Sequence, residues 1–210
     1  MKYKMIIFDF DGTLADTEDI NFTIYLDLAD KYKLKKVSKD DMSSLKRLSA
    51  LDLIDYLDIK KRNIPAMVRR GRKILHGSIE NVDLCKPEMK NVLEELKEKG
   101  YILGILTSNS KKNVFKFIQN HQLDMFEFVY NTGVFGKENW FRKIMKKYQV
   151  TADQILYVGD EIRDITATKH VDIDIVAVDW GYNTRESLME HHPLHLIDSP
   201  EALLEIVLNG

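Results

Sequence analysis

Near the amino terminus, Asp9-Phe10-Asp11-Gly12-Thr13-Leu14 places two carboxylates at i and i+2, directly after the apolar run Met5-Ile6-Ile7-Phe8. That run reads as a buried strand, and Gly12 lets the chain leave it sharply. The two aspartates then stand at the carboxyl end of a strand, the usual ligand site of an open α/β sheet. Period-two alternation alone puts Asp9 and Asp11 on one face. Two acids on one buried strand end are costly unless something positive binds there. The plain alternative is a strand-end turn in which Asp caps backbone groups.

Three further stretches carry chemistry-bearing residues. Thr107-Ser108-Asn109 follows Ile102-Leu103-Gly104-Ile105-Leu106, and a hydroxyl with free backbone N–H groups at a helix start suits a phosphate oxygen. Taken alone it is equally an N-cap before a helix from Lys111. Lys137 follows Gly133-Val134-Phe135-Gly136 and opens a helix; a lone lysine is ordinarily a surface residue. Gly159-Asp160-Glu161-Ile162-Arg163-Asp164 follows another apolar run and sets Asp164 one helical turn after Asp160. That pattern, too, fits a simple helix N-cap.

Together the plain alternatives fail. Asp9, Asp11, Thr107, Lys137, Asp160 and Asp164 are all expected at carboxyl ends of strands in one sheet. Four carboxylates cannot ionise together in one pocket without cations. Lys137 supplies one positive charge. A hard divalent ion with oxygen ligands is the natural other, and Mg²⁺ keeps waters while bridging carboxylates to phosphate. Such a set is equipped for phosphoryl transfer.

The elements that must position these residues follow from hydrophobic patterning. Strands are expected at Met5–Phe8, Tyr101–Leu106, Phe126–Tyr130, Ile155–Val158, Ile173–Val178 and His195–Ile197. Amphipathic stretches lie between them: Glu88–Lys99, Lys111–His121, Lys137–Tyr148, Arg163–Lys169, Thr184–His191 and Pro200–Leu208. Val92, Leu93 and Leu96 have helical spacing, with Gly100 as a stop signal. The alternation predicts an α/β fold: a Rossmann-like three-layer α/β/α core with a mainly parallel sheet. One segment breaks it. Ile20–Lys33, Asp40–Arg47, Leu51–Asp58 and Pro65–Glu80 read as helices with no strand between them, and Pro65 suits a helix start. Residues 1–15 and 84–210 are thus expected as the core. Residues 16–83 form a small all-helical cap domain, inserted after the first strand, whose two connections lead back to the same sheet edge.

Composition narrows the function classes. The chain has 210 residues, enough for one large domain with a modest insertion. Its formal net charge of −2 offers no global basic field to nucleic acid or an anionic membrane. The apolar run after Lys2 and Lys4 is too short for a signal peptide, and no stretch suffices to span a membrane. The single cysteine, Cys85, fits a reducing cytoplasm and reads as structural. Trp140, Phe141 and Trp180 read as core residues, which leaves monomer and homodimer both open.

These residues, in this order, resemble the haloacid dehalogenase-like hydrolase superfamily across nearly the whole chain. Asp9-Phe10-Asp11-Gly12-Thr13-Leu14 resembles its first motif, Thr107 its second, Lys137 its third, and Gly159-Asp160 with Asp164 its fourth. The helical insertion resembles the family's small cap. Val178-Asp179-Trp180-Gly181-Tyr182-Asn183 and Ile197-Asp198-Ser199-Pro200 resemble the phosphoglycolate-phosphatase-like branch. The resemblance implies a Mg²⁺-dependent phosphomonoester hydrolase acting on a small phosphorylated metabolite. Asp9 would be the nucleophile, forming an aspartyl-phosphate. Asp11 would protonate the leaving alcohol and then deprotonate water. The metal would be held by Asp9, the backbone carbonyl of Asp11, and Asp160, with Asp164 in support and Glu161 left open. Thr107 and neighbouring backbone groups would hold phosphoryl oxygens, and Lys137 would offset their charge. Gly12, Thr13, Ser108 and Asn109 belong to the expected phosphate cradle, and Lys46 and Arg47 are candidate cap contacts to an anionic leaving group.

Two departures bear on the substrate. Leu45-Lys46-Arg47-Leu48-Ser49-Ala50-Leu51 lacks a glycine that the branch often has there, and Leu84-Cys85-Lys86-Pro87-Glu88 lacks the glycine that often follows its proline. Rival readings are a phosphomutase of the same fold and a non-catalytic phospho-ligand-binding regulatory protein. A phosphonate hydrolase would need a cap lysine for a Schiff base. A dehalogenase would have no use for Asp11. A phosphorylatable receiver domain would be about half as long and would place its reactive Asp after a later strand.

Overall fold

The computed structural model describes residues 2–133 and 136–209. Its six strands are β1 (Met5–Phe8), β2 (Ile102–Thr107), β3 (Phe126–Asn131), β4 (Ile155–Gly159), β5 (Asp174–Val178) and β6 (His195–Ile197). They form one sheet in the order β3-β2-β1-β4-β5-β6, and every pairing is parallel. All four residues of β1 are buried. Ile6 and Phe8 pack into one core cluster, Met5 and Ile7 into the other. A continuous apolar run is what a strand covered on both faces requires.

After β1 come the helices α1 (Glu18–Tyr32), α2 (Met42–Leu45), α3 (Ala50–Tyr56) and α4 (Ile64–Ser78). The rest alternate with strands: α5 (Met89–Glu98), α6 (Lys111–His121), α7 (Lys137–Tyr148), α8 (Ile162–Lys169), α9 (Arg185–Glu190) and α10 (Pro200–Asn209). Val92, Leu93 and Leu96 of α5, Phe117 of α6 and Leu203 of α10 pack into the cluster that holds Ile6 and Phe8. Phe141 of α7, Ile165 of α8 and Leu188 of α9 pack into the other. Helices therefore cover both faces, giving the expected three-layer arrangement. Phe141 is buried, and Trp140 and Trp180 pack against the two clusters as partly buried residues.

The helical insertion departs from expectation in one place. A helix over Asp40–Arg47 is replaced by a 3₁₀ turn at Lys39–Asp41 and the short α2. The Asp41 carboxylate accepts both the backbone N–H and the hydroxyl of Ser38, at 2.7 and 2.8 Å. That local closure competes with a longer helix. Pro65 sits in the first turn of α4, where its missing N–H costs nothing.

The chain enters and leaves the insertion through paired connectors. Ala15 and Leu84 form an antiparallel bridge, the Asp16 N–H donates to the Asp83 carbonyl at 2.9 Å, and the Cys85 N–H donates to Leu14 at 2.9 Å. The connectors leave from the carboxyl end of β1, an interior strand. Burial and the nearby Asp160, Asp16 and Asp11 push the Cys85 thiol well above its ordinary pKa, so it stays protonated. Among the described residues, no helix is long and apolar enough to cross a membrane.

Candidate active site

In this strand order the connectivity reverses between β1 and β4, and the crevice beyond their carboxyl ends is where open α/β sheets bind ligands. Asp9 follows β1 directly. Its N–H donates to the Val158 carbonyl of β4 at 2.8 Å, which fixes the loop beside the neighbouring strand. Asp160 follows β4 directly. One carboxylate oxygen from each of Asp9, Asp160 and Asp164 lies within 4.8 Å of the other two, and all three residues are buried.

Lys137 reaches this group from the first turn of α7. Its Nζ donates to Asp9 Oδ2 at 2.7 Å, to the Tyr157 hydroxyl at 2.7 Å, and to Asp164 Oδ1. It is only 5% exposed, so it is no ordinary surface lysine. Burial works against its charge, but Asp164 and Asp9 more than offset that, and its pKa stands above the ordinary value. Gly136 just before it has φ 114°, a region that glycine enters freely. Val134 and Phe135, part of the expected glycine-rich approach, lie outside the described residues.

The acids respond to this crowding. Burial pushes the Asp164 carboxyl up to about 7, with Lys137 pulling down and Asp9 and Glu161 adding to the rise. Burial, then Glu161, Asp9 and Asp164, push Asp160 well above the carboxylate range, against the Tyr182 N–H that favours its charge. Lys137, with Arg163 already paired to Glu161, leaves these acids short of positive charge. A buried, oxygen-only donor set fits a hard divalent cation such as Mg²⁺.

Asp11 engages other partners. Its carboxylate accepts the Thr17 hydroxyl at 3.0 Å and the Asn109 amide at 3.0 and 3.1 Å. Burial and the Asp9 charge push its pKa up to about 6, against those hydrogen bonds. Simple strand alternation ends before it. The strand stops at Phe8, and Gly12 turns the backbone at φ 78°. Gly12 also has to be small, since a Cβ there would lie 2.2 Å from Asp160 Oδ2.

The expected phosphate cradle divides into distinct duties. The Thr107 hydroxyl is fully buried and accepts the Asn109 N–H at 2.9 Å. The Thr13 hydroxyl donates to Asp160 Oδ1 at 2.7 Å, which fastens that acid. Asn109 grips Asp11 and accepts the Asn113 amide at 2.9 Å. The Ser108 carbonyl accepts a guanidinium N–H from Arg72. Lys46 lines the cavity beside these loops but donates to the Glu18 carboxylate at 2.8 Å. Arg47 is exposed and does not line the cavity.

Other residues hold the site without having been singled out. The Tyr182 N–H donates to Asp160 Oδ2 at 2.8 Å, and its hydroxyl lies 2.8 Å from that of Thr17. Tyr182 thus links Asp160 to the clamp around Asp11. Asn183 caps the start of α8 through the Ile162 N–H at 2.9 Å and donates to the Lys46 and Leu48 carbonyls at 2.7 and 3.1 Å. Arg163 pairs with the Glu161 carboxylate; burial opposes its charge, and Glu161, Asp9 and Asp164 favour it. Arg72 of α4 keeps a buried Nε without a hydrogen-bond partner. The Trp180-Gly181-Tyr182-Asn183 stretch is visible as a motif, and Arg163 lies within the Gly159–Asp164 stretch without a role of its own there; Arg72 has no comparable signal. A cavity of about 460 Å³ collects Asp11, Ser108, Asn109 and Glu161 from the strand-end loops, Arg163 from the first turn of α8, and a largely apolar wall from α1 to α4 and the turns between them.

The family model for haloacid dehalogenase-like hydrolases matches residues 6–178. The chain is 29% identical over 206 residues to a phosphoglycolate phosphatase of Synechococcus elongatus, covering 97% of each chain. It is 27% identical over 220 residues to the pyrophosphatase PpaX of Bacillus mycoides, covering all of both. In fold it is similar to a haloacid dehalogenase-like family hydrolase from Streptococcus pneumoniae, with a TM-score of 0.81 and 19% identity over 98% of this chain and 99% of that one.

Proposed function

Because the chain belongs to the haloacid dehalogenase-like hydrolase family, we propose that it is a Mg²⁺-dependent phosphomonoester hydrolase acting on a small phosphorylated metabolite. The observation that carries this reading is the Lys137 ammonium held on both Asp9 and Asp164, with Asp160 within reach of the same point. Phosphatase names among the relatives support it.

Asp9, the backbone carbonyl of Asp11, and Asp160 would hold the metal, with Asp164 in support. Bound there, Mg²⁺ supplies positive charge that offsets the carboxylates and the transferring phosphoryl group. A carboxylate oxygen of Asp9 attacks phosphorus, and the bond from phosphorus to the leaving oxygen breaks. Asp11 gives its proton to that oxygen. Water then attacks the aspartyl-phosphate while Asp11 takes a proton from it. The bond between phosphorus and the Asp9 oxygen breaks, and inorganic phosphate leaves. Thr107, the backbone groups after it and Lys137 stabilise charge on the phosphoryl oxygens. Residues 16–83 serve as the cap domain that closes over the leaving group.

The test is turnover of phenyl phosphate. Activity is expected with Mg²⁺, is lost after chelation, and returns when the metal is restored. Asp9→Asn abolishes it. Full activity in the stripped protein, or in Asp9→Asn, overturns the reading.

A further inference from the structure

The cavity beside Asp11 has a chemical character that its phosphoryl end does not demand. Its volume, about 460 Å³, falls within the range of roughly 300–1,000 Å³ usual for small-molecule pockets. Transfer of a phosphoryl group from a very small polar ester would use only the end near Asp11 and Asn109. The remaining wall is built from aliphatic and aromatic side chains, among them Phe22, Val37, Leu53, Leu57, Ile59 and Ile64. Val37 and Leu57 belong to a separate small core cluster of the insertion, with Phe22, Leu53 and Ile59 packed on it.

Among the described residues, two of the three cations that line the chamber are paired with carboxylates. Lys46, the lysine in this wall, is committed to Glu18 at 2.8 Å. Arg72 donates to the Ser108 carbonyl and keeps its Nε unpartnered, so the charge it offers lies beside the phosphoryl end. Arg163 pairs with Glu161. A second anionic group deep in the chamber would therefore meet mainly hydrocarbon, and burying a charge there is unfavourable. Water gains little in an apolar chamber, and folded proteins seldom keep large voids.

We propose that the chamber receives an apolar leaving group, so that the substrates are phosphomonoesters of alcohols carrying an aliphatic or aromatic body. The inference rests on the phosphatase reading for the orientation of the ester. The phosphoryl group lies at Asp9, the leaving oxygen at Asp11, and the carbon body extends into the chamber.

The experiment measures kcat/KM with Mg²⁺ for n-alkyl phosphates from ethyl to octyl. A rise of at least roughly tenfold along the series is expected, because each further methylene leaves water. Two variants then probe the wall. Leu53→Asn makes it polar, and Ala50→Trp fills it; both residues line the chamber and neither is fully buried. Either should reduce the octyl-to-ethyl ratio several-fold. A flat series, or a ratio unchanged in both variants, overturns the inference while leaving the phosphatase reading intact. Binding of n-alkyl phosphonates, which lack the ester bond, reads the chamber without turnover. Affinity rising with chain length supports the apolar site even in a protein that hydrolyses no ester, a result that would sink the phosphatase reading instead. Affinity independent of chain length overturns the inference.

Discussion

Asn109 donates its side-chain amide to both oxygens of Asp11, at 3.0 and 3.1 Å, across 98 residues of chain. The loop after β2 thereby holds the acid–base candidate of the loop after β1. Asn109 is itself held through Asn113 and through its own N–H on Thr107. It is a positioning residue, and Asn109→Ala should lower kcat about tenfold on alkyl phosphates, whose leaving group needs a well-placed proton. On a nitrophenyl phosphate, whose leaving group needs little protonation, the first step should change far less. Equal losses on both ester types would mean that Asn109 serves folding alone.

Lys137 is expected to matter through charge. It faces Asp9 and Asp164 from inside the protein, so Lys137→Ala leaves buried carboxylates without their cation. Turnover should fall at least roughly tenfold, because the lost charge faces the transferring group. Thermal melting in the presence and absence of Mg²⁺ separates the two contributions. The variant should lose more stability without metal than with it.

How far such a site can be read from sequence depends on what holds each residue. The buried strands and the acids at their ends were legible, because an apolar run closed by Asp-x-Asp-Gly, or by Gly-Asp, carries its own position. The bounds of α6 and α7 were legible too. Ser110 caps one through the Asn113 N–H, Gly136 opens the other, and Gln122 and Gln149 close them in the left-handed region. Arg72 was not legible. It reaches the site only because α4 folds back over the loop after β2, 36 residues away. Tyr182 acts on Asp160 through its backbone N–H, a duty that no side-chain pattern announces. In the insertion, helices were legible as helices, but α2 was overestimated because a local Ser38–Asp41 closure intervened. The apolar residues of the insertion read as core; that many of them face a cavity is a matter of packing alone.

Gly12→Ala tests the acid group without removing any acid. A Cβ at this position would lie 2.2 Å from Asp160 Oδ2 and 2.5 Å from the Tyr182 ring, and the backbone has φ 78°. Asp160 has to move, and with it the hydrogen bonds from Thr13 and the Tyr182 N–H. Divalent-metal affinity, measured by calorimetry, should fall by roughly 10–100-fold, as for other losses of support around a metal ligand. Affinity equal to that of the unsubstituted protein would place the metal away from Asp160.

Asp11→Asn separates the two chemical steps. Asparagine can still accept the Thr17 hydroxyl, so the clamp is altered less than by truncation, but it can neither give nor take the proton. With a nitrophenyl phosphate the first step should survive in part, since the leaving group departs without much protonation. The second step needs a base to activate water and should slow more, by roughly 100-fold or more. Phosphoenzyme should then accumulate. A rapid quench with labelled nitrophenyl phosphate should trap label on the protein that hydroxylamine releases, as expected of an acyl phosphate, and peptide mapping should place it on Asp9. The unsubstituted protein should show far less label at steady state. Label on any other residue would reassign the nucleophile. Equal slowing of both steps, with no accumulation, would take the base role away from Asp11 and leave it only as part of the structure around Asn109 and Thr17.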